Sequence, residues 1–262
     1  MKTEKVIDHI VDWLKDYAVK AGTKGFVIGI SGGIDSAVTS TLCAKTGLDL
    51  LCLEMPIYQA ENQETRASNH IGWLMENFDN VKNQAVDLTP VFDSLIAALP
   101  SVDNEEDRFM PLANTRARLR MTTLYYFAAL NGYLVAGTGN KVEDFGVGFY
   151  TKYGDGGVDL SPIADLMKTE VYDMARFLGI NQDIVDAPPT DGLWGDDRTD
   201  EDQIGASYPE LEWAMKMNDE GKNADDFSNR EKQVFSIFKR LNSANQHKMQ
   251  PIPICTIPND LK

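Results

Sequence analysis

The sequence predicts an α/β protein of the Rossmann-like type, with a doubly wound and mostly parallel sheet covered by helices on both faces. Two observations support this prediction. Short apolar runs alternate with segments of helical periodicity between residues 25 and 138, and such alternation implies right-handed crossovers between parallel strands. Loops rich in small polar residues follow two of the apolar runs, at 31–36 and 137–144. Sheets of this kind collect ligands at the carboxyl ends of their strands.

Each predicted element follows from its periodicity and from the residues that end it. The N-terminal segment has apolar residues at helical spacing among charged ones, which predicts an amphipathic helix. Glycine and proline end several of the later segments. The predicted strands are 25–30, 48–55, 81–88 and 133–138, and the predicted helices are 36–45, 61–78, 90–99, 112–131 and 168–178. The acidic, aperiodic segment 100–109 predicts a surface loop, and two more helices and a proline-rich tail are expected after residue 205.

The composition limits the classes of protein that fit. The chain has 262 residues with 43% hydrophobic side chains, enough for one substantial core, so we expect a single domain over 1–262. Acidic residues outnumber basic ones 40 to 25, which argues against sequence-independent nucleic-acid binding, because that requires clustered positive charge. The N-terminal segment is charged throughout, unlike a signal peptide or a membrane span. We expect a cytoplasmic protein with no membrane partner.

The three cysteines are isolated in the sequence. Cys43, Cys52 and Cys255 form no Cys-x-x-Cys pair, and no histidine cluster could complete a zinc or iron–sulfur site. We expect all three to be buried, reduced thiols.

The stretch GISGGIDSA, residues 29–37, joins the first predicted strand to the next helix. Two adjacent glycines leave backbone N–H groups unobstructed, Ser31 and Ser36 add hydroxyls, and the helix presents the positive end of its dipole. This combination predicts a cradle for an anion. An ordinary turn capped by Ser36 or Asp35 is the alternative, but a cap requires only one such residue.

The loop differs from the two commonest nucleotide-binding patterns. It lacks the Gly-Lys-Ser/Thr ending of the usual phosphate loop, and G-x-G-x-x-G does not occur in the chain. Ser-Gly-Gly-Ile-Asp-Ser instead resembles the pyrophosphate loop of the N-type ATP pyrophosphatases, which cleave ATP between its α- and β-phosphates. The resemblance implies that the whole loop binds ATP, through Gly29, Ile30, Ser31, Gly32, Gly33, Ile34, Asp35 and Ser36.

Further stretches together resemble the ammonia-dependent NAD synthetases. They are ANTRARLRM (113–121), GTGNKVEDFGVGFYTKYGDGGVDLSP (137–162), LMKTE (166–170), APPTDGLW (187–194) and QHKMQPIP (246–253). The resemblance implies the adenine nucleotide alpha hydrolase-like fold and a carbon–nitrogen ligase that amidates deamido-NAD. In that reaction the nicotinate carboxylate is first joined to AMP with release of pyrophosphate, and ammonia then displaces AMP.

The resemblance also assigns residues to ATP and to a metal. Asp35 and Glu143 match the magnesium ligands of the family, a sensible pair because Mg²⁺ takes few carboxylates and keeps waters and phosphate oxygens. Thr138 and Thr190 match positions that contact ATP. Lys168 matches the lysine that reaches the ATP phosphates and supplies the cation that the loop lacks.

Five positions match residues of the family that bind the dinucleotide: Arg118, Lys152, Asp159, His247 and Lys248. Arg116 and Arg120 lie two residues either side of Arg118, so we expect them to face elsewhere on the helix, in solvent or beside acidic neighbours. The spacing from Glu143 to Lys152 is one residue longer than in many members, and Gly139-Asn140 replaces an Asp-His pair.

Asp155, within Tyr-Gly-Asp-Gly-Gly, is the candidate for orienting the ammonium ion and accepting its proton, because a carboxylate attracts that cation. A plain tight turn is the alternative interpretation of this glycine-rich stretch. The catalytic candidates are therefore Asp155, Lys168 and Asp35, with magnesium as the implied cofactor.

The resemblance further implies a homodimer with dinucleotide sites at the subunit interface. The apolar helix segment 121–130 is compatible with burial in a core or in an interface. The chain leaves no room for a glutaminase domain, so free ammonia is the expected nitrogen donor.

Two other interpretations remain open. A related pyrophosphate-loop enzyme could amidate or thiolate a nucleotide or a tRNA, but the sequence shows neither paired cysteines nor a basic face. A non-catalytic nucleotide-binding module would keep the cradle, but it would have no reason to keep Asp35, Glu143 and Lys168 together.

Overall fold

A parallel sheet forms the centre of the computed structural model, which describes residues 1–190 and 199–262. Within these residues the strand order is β3-β2-β1-β4, and every pairing is parallel. The strands are β1 (Gly25–Gly29), β2 (Asp49–Glu54), β3 (Val81–Ala85) and β4 (Leu134–Val135). The chain runs outward from β1 to β3 and then returns to the other side of β1, so the strand order reverses there. The doubly wound parallel sheet predicted from the sequence is confirmed.

Helices cover both faces of this sheet. They are α1 (Thr3–Ala21), α2 (Ile34–Lys45), α3 (Glu61–Asn77), α4 (Thr89–Ala98), α5 (Phe109–Asn131), α6 (Lys168–Leu178), α7 (Gln182–Val185), α8 (Asp200–Ile204), α9 (Tyr208–Asp219) and α10 (Asn229–Met249). The predicted helix bounds agree with these to within three residues. The largest difference is at α5, which begins at Phe109 because a 3₁₀ turn, Glu105–Arg108, leads directly into it.

All four strands are shorter in the structure than in the prediction, and two of them are shorter by three residues or more. The strand expected at 133–138 pairs with β1 only through Leu134 and Val135, after which Ala136 bridges to Leu160 instead. The strand expected at 81–88 ends at Ala85. It is an edge strand whose residues after Val81 are exposed, so its apolar pattern was weak.

The core lies on both sides of the sheet because alternate strand residues point to opposite faces. Phe26 and Ile28 of β1 pack with α1, α2 and α6 in one cluster. Val27 packs with α4 and α5 in another. The amphipathic N-terminal helix is confirmed, since its apolar stripe, including Leu14, is buried in the first cluster.

A third cluster joins the C-terminal helices to the segment after β4. Phe235 of α10 and Leu211 of α9 pack against the two ends of a π-helical turn, Val142–Val147. Asn245 of α10 donates a hydrogen bond to the carbonyl of Val147 at 2.8 Å. These contacts bring the end of α10 to the carboxyl edge of the sheet.

The expectation for the cysteines is correct for two of the three. Cys43 and Cys52 are buried, and burial raises the pKa of Cys52 to about 12. Cys255 is exposed, because it lies in the tail after α10, where every residue from 250 to 262 is exposed. Across the described residues, the helices are too short or too polar to span a bilayer.

Candidate active site

A cavity of 820 Å³ opens at the carboxyl edge of the sheet, beside the point where the strand order reverses. This volume falls in the upper part of the range typical of small-molecule sites. Most residues predicted for the site lie in its wall: Gly29, Ile30, Ser31, Gly32, Gly33, Ile34, Asp35, Arg118, Thr138, Glu143, Lys152, Asp155, Lys168, Thr190, His247 and Lys248. The predicted residues Ser36 and Asp159 are not wall residues. The last four residues of the 187–194 motif lie outside the described part of the chain.

The loop after β1 is held in a fixed shape by its serines. The hydroxyl of Ser36, itself buried, donates to the carbonyl of Gly33 at 2.9 Å and lies 3.1 Å from the Ser31 hydroxyl. Ser36 therefore shapes the loop from behind. Within the described residues no side chain caps the N-terminus of α2, which begins at Ile34. The positive end of this helix is turned towards the cavity, as an anion cradle requires.

The structure shows why one of the two adjacent glycines, Gly32, must be glycine. Its φ is +78°, and an added Cβ would lie 2.5 Å from the carbonyl oxygen of Gln63 on α3. Both its backbone conformation and its contact with α3 therefore require glycine. The side chain of Arg66 donates to the carbonyl of Gly32 at 3.1 Å and ties the loop to α3.

The centre of the site is an ammonium group between two carboxylates. Lys168 Nζ lies 2.5 Å from Asp35 Oδ2 and 2.9 Å from Glu143 Oε1. The side chain of Lys168 is 3% exposed, and those of Asp35 and Glu143 are 17% and 16% exposed. Three elements supply these groups: the first turn of α2, the π-helical turn after β4 and the first residue of α6. All three residues were candidates from the sequence, and in the structure they are in contact.

Further polar side chains orient the two carboxylates. Asn140 donates to Asp35 Oδ1 at 3.1 Å, and its own carbonyl oxygen accepts from the backbone N–H groups of Val142 and Glu143. The hydroxyl of Tyr208 donates to Glu143 Oε1 at 2.6 Å and lies 3.3 Å from a carboxylate oxygen of Asp200. Asn140 was noted in the sequence only as a departure from the family pattern. A polar residue in a glycine-rich turn at a strand end was the signal for it, whereas nothing in the sequence distinguished Tyr208 or Asp200.

The pKa values of the three groups reflect burial and mutual attraction. Burial opposes the charged form of Lys168, but Asp35 and Glu143 outweigh it and raise the pKa of the lysine. Burial likewise acts to raise the pKa of Glu143, but Lys168 and the hydrogen bond from Tyr208 lower it overall. For Asp35 burial prevails and raises the pKa, although Lys168 opposes that change. The lysine therefore carries its positive charge throughout the physiological pH range.

The donor set at this point fits a magnesium ion. No group of three or more His, Cys, Asp or Glu side chains among the described residues could hold a metal. Mg²⁺, however, often binds to one or two carboxylates and takes its other ligands from substrate phosphates and water. Asp35 and Glu143 already converge on a cation, the Lys168 ammonium, in the wall of the cavity. Their carboxylates are the residues that would hold the metal.

Several further cations line the cavity and are bound to backbone carbonyls. Lys248 Nζ donates to the carbonyls of Gly148 and Tyr150 at 2.8 and 2.7 Å. Lys152 Nζ donates to the carbonyl of His247, and Arg118 reaches the carbonyl of Lys152 at 3.3 Å. Carbonyl oxygens carry no formal charge, so these contacts leave the positive charges available to an anionic ligand.

Within the single chain, Asp159 stabilises the fold through hydrogen bonds to β4 and α5. Its carboxylate accepts from the backbone N–H of Val135 at 2.8 Å and from the hydroxyl of Tyr125 at 3.0 Å. These bonds fix the end of β4 against α5. The side chain is exposed outside the cavity, and a role in dinucleotide binding remains a prediction.

Asp155 lines the cavity and its surface is exposed there. One carboxylate oxygen accepts from the backbone N–H of Thr151 at 2.9 Å. Loss of solvation raises the pKa of Asp155 to about 6. The neighbouring Asp144 has its pKa raised to about 8, chiefly by burial and then by the nearby carboxylates. Asp155 is therefore a stronger base than an ordinary aspartate and remains ionised near neutral pH.

The structure corrects the expectation for the arginines beside Arg118. Arg120 lines the cavity and donates to the carbonyl of Met55 at 3.0 Å and to Gln59 at 2.9 Å. Burial lowers the pKa of Arg120 to about 10. Arg116 stacks over the ring of Phe92 at 5.0 Å. The expectation was wrong for Arg120 because the cavity follows the helix around more than one face, and a long side chain can reach it from either side.

Comparisons with known proteins agree on one family. The family model described as NAD synthase matches residues 6–252. An NH(3)-dependent NAD(+) synthetase of Carboxydothermus hydrogenoformans is 37% identical over 94% of this chain and 93% of its own length. One from Methanosarcina mazei is 35% identical over 97% and 98%. A solved structure of NMN synthetase from Francisella tularensis superposes with a TM-score of 0.84 at 29% identity and covers 99% of both chains.

Replacing Lys168 by Met would leave two partly buried carboxylates facing each other. We expect the ligand-free variant to lose about 3–5 kcal/mol of unfolding free energy, the typical cost of removing one partner of a buried ion pair. Denaturant unfolding near pH 7 measures this loss.

The matched control is Lys141→Met, which removes a pair with Asp165 whose side chains are 36% and 96% exposed. We expect that change to cost less than about 1 kcal/mol, as for other surface pairs. Equal losses in the two variants would contradict the central role of Lys168.

Proposed function

The chain belongs to the NAD synthase family, and on this premise we propose that it amidates deamido-NAD with ammonia, using ATP and releasing AMP and pyrophosphate. One observation carries the assignment of this chemistry to the cavity. The pyrophosphate loop, the Asp35–Lys168–Glu143 cluster and the cations around Lys248 all line a single cavity of 820 Å³. A nucleotide-binding module would need only the first of these features.

The first chemical step joins the nicotinate carboxylate to the α-phosphorus of ATP. A carboxylate oxygen forms the new bond while the bond to the β-phosphate oxygen breaks, and pyrophosphate leaves. We assign the triphosphate to the loop from Gly29 to Ser36 and to the N-terminus of α2, whose backbone N–H groups favour an anion. Thr138 and Thr190 line the same cavity and are assigned to ATP.

Charge neutralisation is the main requirement of this step, because a carboxylate and a triphosphate must approach each other. When bound by Asp35 and Glu143, a magnesium ion would supply positive charge beside the phosphates. Lys168 supplies a second positive charge from the start of α6, where a cation is unfavourable unless anions are near. In the structure Asp35 and Glu143 are those anions. Lys168 is therefore positioned to turn from the carboxylates to the phosphates.

The second step is attack by ammonia on the carbonyl carbon of the mixed anhydride. The new C–N bond forms, AMP leaves with its oxygen, and the nitrogen loses a proton. We assign Asp155 to attract the ammonium ion and to accept the proton that it must lose before it can attack as ammonia. The second proton, lost after the C–N bond has formed, passes to water. The raised pKa of Asp155, about 6, makes this residue a better base than an ordinary aspartate while keeping it ionised near neutral pH.

The dinucleotide is assigned to the part of the cavity lined by Arg118, Lys152, His247 and Lys248. Deamido-NAD carries two phosphates, so clustered cations suit it. We also propose a homodimer in which a second subunit completes this site and to which the exposed Asp159 contributes. The single-domain organisation over 1–262 and a cytoplasmic location remain predictions.

A second substrate is favoured by one observation. The similar structure from Francisella tularensis is described as an NMN synthetase, and the same amidation chemistry would form NMN from nicotinate mononucleotide. Both substrates present the same reacting carboxylate. They differ in the adenylate half, which only the dinucleotide has. Only the dinucleotide can therefore place a second phosphate beside Arg118, Lys152 and Lys248.

The purified chain, given ATP, Mg²⁺, ammonium chloride and deamido-NAD, should form NAD together with equal amounts of AMP and pyrophosphate. Ratios of kcat/KM for deamido-NAD and nicotinate mononucleotide would decide between the two substrates. Asp35→Asn is the matched inactive control, and glutamine should not replace ammonium. Release of ADP and orthophosphate instead would refute the proposed function.

We expect Asp155→Asn to slow amide formation by about a hundredfold or more, as for the loss of other general bases, while pyrophosphate release changes little. Rapid-quench measurement of both products from a single turnover separates the two steps. When the amidation rate of the unaltered enzyme is divided by the concentration of free ammonia at each pH, the quotient should fall as the pH drops through about 6, because Asp155 then becomes protonated. The variant should lack this fall, and equal loss of both steps would remove the assigned role.

The dimer can be tested through α5, where Tyr126 and Leu130 are 64% and 66% exposed, one helical turn apart. Sedimentation velocity should give twice the 29.2 kDa chain mass. Tyr126→Glu with Leu130→Glu should shift the protein to the monomer, because buried charge opposes association. Val19→Glu, at a 70% exposed position on α1, is the control. A monomer in the unaltered protein would contradict this proposal.

A further inference from the structure

Two asparagines of α10, Asn242 and Asn245, have no role in the assignments above. The side-chain amide of Asn242 donates to the carbonyl of Gly146 at 2.8 Å, and that of Asn245 donates to the carbonyl of Val147 at 2.8 Å. Lys248, three residues further on, donates to carbonyls further along the same segment. Residues three apart lie on one face of a helix. One face of α10 therefore binds successive carbonyls of the π-helical turn and of the residues after it.

The π-helical turn, Val142–Val147, ends where these bonds are made. The last carbonyls of a helical turn have no N–H partner within it, and the chain turns away at Gly148, whose φ is +66°. The two amides of α10 supply donors for these carbonyls. The approach is close, since a Cβ added to Gly148 would lie 2.4 Å from the Cβ of Asn245. The asparagines therefore cap the C-terminal end of the turn from a neighbouring helix.

The capped end of the turn is bonded back to Glu143. The backbone N–H of Phe149 donates to the carbonyl of Glu143 at 2.9 Å, and the N–H of Gly148 donates to the same carbonyl. The side chain of Glu143 reaches Lys168 from the first part of this turn. A shift of the capped end would therefore move the residue that carries the carboxylate, because both belong to one turn of six residues.

We propose that Asn242 and Asn245 are positioning residues, which hold the π-helical turn in the shape that places the Glu143 carboxylate beside Asp35 for a metal. They act through the backbone of the turn and not by contact with a substrate. Groups that orient a metal-binding residue typically change metal affinity by about 10- to 100-fold when they are removed. This role rests on the proposed function only in taking Glu143 as a carboxylate that holds magnesium.

The test measures the binding of ATP without deamido-NAD, so that no turnover is required. Isothermal titration at a series of Mg²⁺ concentrations gives the Mg²⁺ midpoint, the concentration at which the tightening of ATP binding is half complete. We expect Asn242→Ala combined with Asn245→Ala to raise this midpoint about tenfold or more. Asn245→Asp keeps the size of the side chain but replaces its N–H donor by an acceptor, so this variant should raise the midpoint as well.

The same changes are then made together with Glu143→Gln. If the asparagines act through Glu143, their removal should shift the midpoint of that variant by less than about twofold, because changes that act through one group are not additive. An effect that persisted in full would overturn the inference. Asn245, a residue of the cavity wall, would then act on the ligand directly.

Lys239→Met is the matched control. Lys239 also donates from α10 to a neighbouring helix, through a bond of 2.9 Å to the side chain of Asn218 on α9, but this bond is exposed and does not involve the π-helical turn. The variant should keep the midpoint of the unaltered protein. Circular dichroism checks that each variant folds, and the single variants Asn242→Ala and Asn245→Ala serve if the double variant does not.

The inference is also overturned if the asparagine variants keep the midpoint of the unaltered protein. The same holds if Glu143→Gln keeps it, because Glu143 would then not be a residue that holds the metal. A raised midpoint that depends on Glu143, in a protein that forms no NAD, would support the role of the asparagines while refuting the proposed function. The two failures are therefore distinguishable.

Discussion

The contact of the Lys168 ammonium with Asp35 and Glu143 is the interaction on which the rest of the site depends. It joins residues 133 and 25 positions apart in the chain, and it does so where β1, β4 and α6 come together. Transferring a charge from water to the protein interior is costly unless oppositely charged partners are in place. The three charges can therefore be buried at low cost only when α2, the π-helical turn and α6 have reached their native positions.

The surrounding structure serves to keep this cluster in place. Asn140 fixes Asp35 and at the same time accepts from the backbone that carries Glu143. Tyr208 reaches Glu143 from α9, so the C-terminal helices are tied to the same carboxylate that the strand region presents. Packing of α9 and α10 against the π-helical turn supports this arrangement. The third core cluster and the polar site therefore share one short segment, 140–147.

The sequence predicted the fold better than the details of the site, for identifiable reasons. Apolar periodicity located α1, α2 and α6 because their buried faces are continuous, and the loop around Gly32 was recognisable from its composition alone. The resemblance supplied Asp35, Glu143 and Lys168, but it could not show that they touch. Asn140 and Tyr208 were missed because single polar residues acquire meaning only from neighbours distant in the chain. Arg120 was misjudged because a helical wheel does not show where the cavity bends, and Cys255 because a cysteine's preference for burial says nothing about an extended tail.

The bonds from Lys152 and Lys248 to main-chain carbonyls have a further consequence for how ligands are held. Lys248, near the end of α10, is bonded to the carbonyls of Gly148 and Tyr150, and Lys152 is bonded to the carbonyl of His247 on α10. The three bonds join the end of α10 to the segment 148–152 in the wall of the cavity. Each ammonium has three N–H groups, so a phosphate can bind Lys152 or Lys248 while the bonds to the carbonyls persist. A phosphate held in this way would join the end of α10 to the segment 148–152 more firmly, so occupancy of the cavity and the order of α10 would rise together.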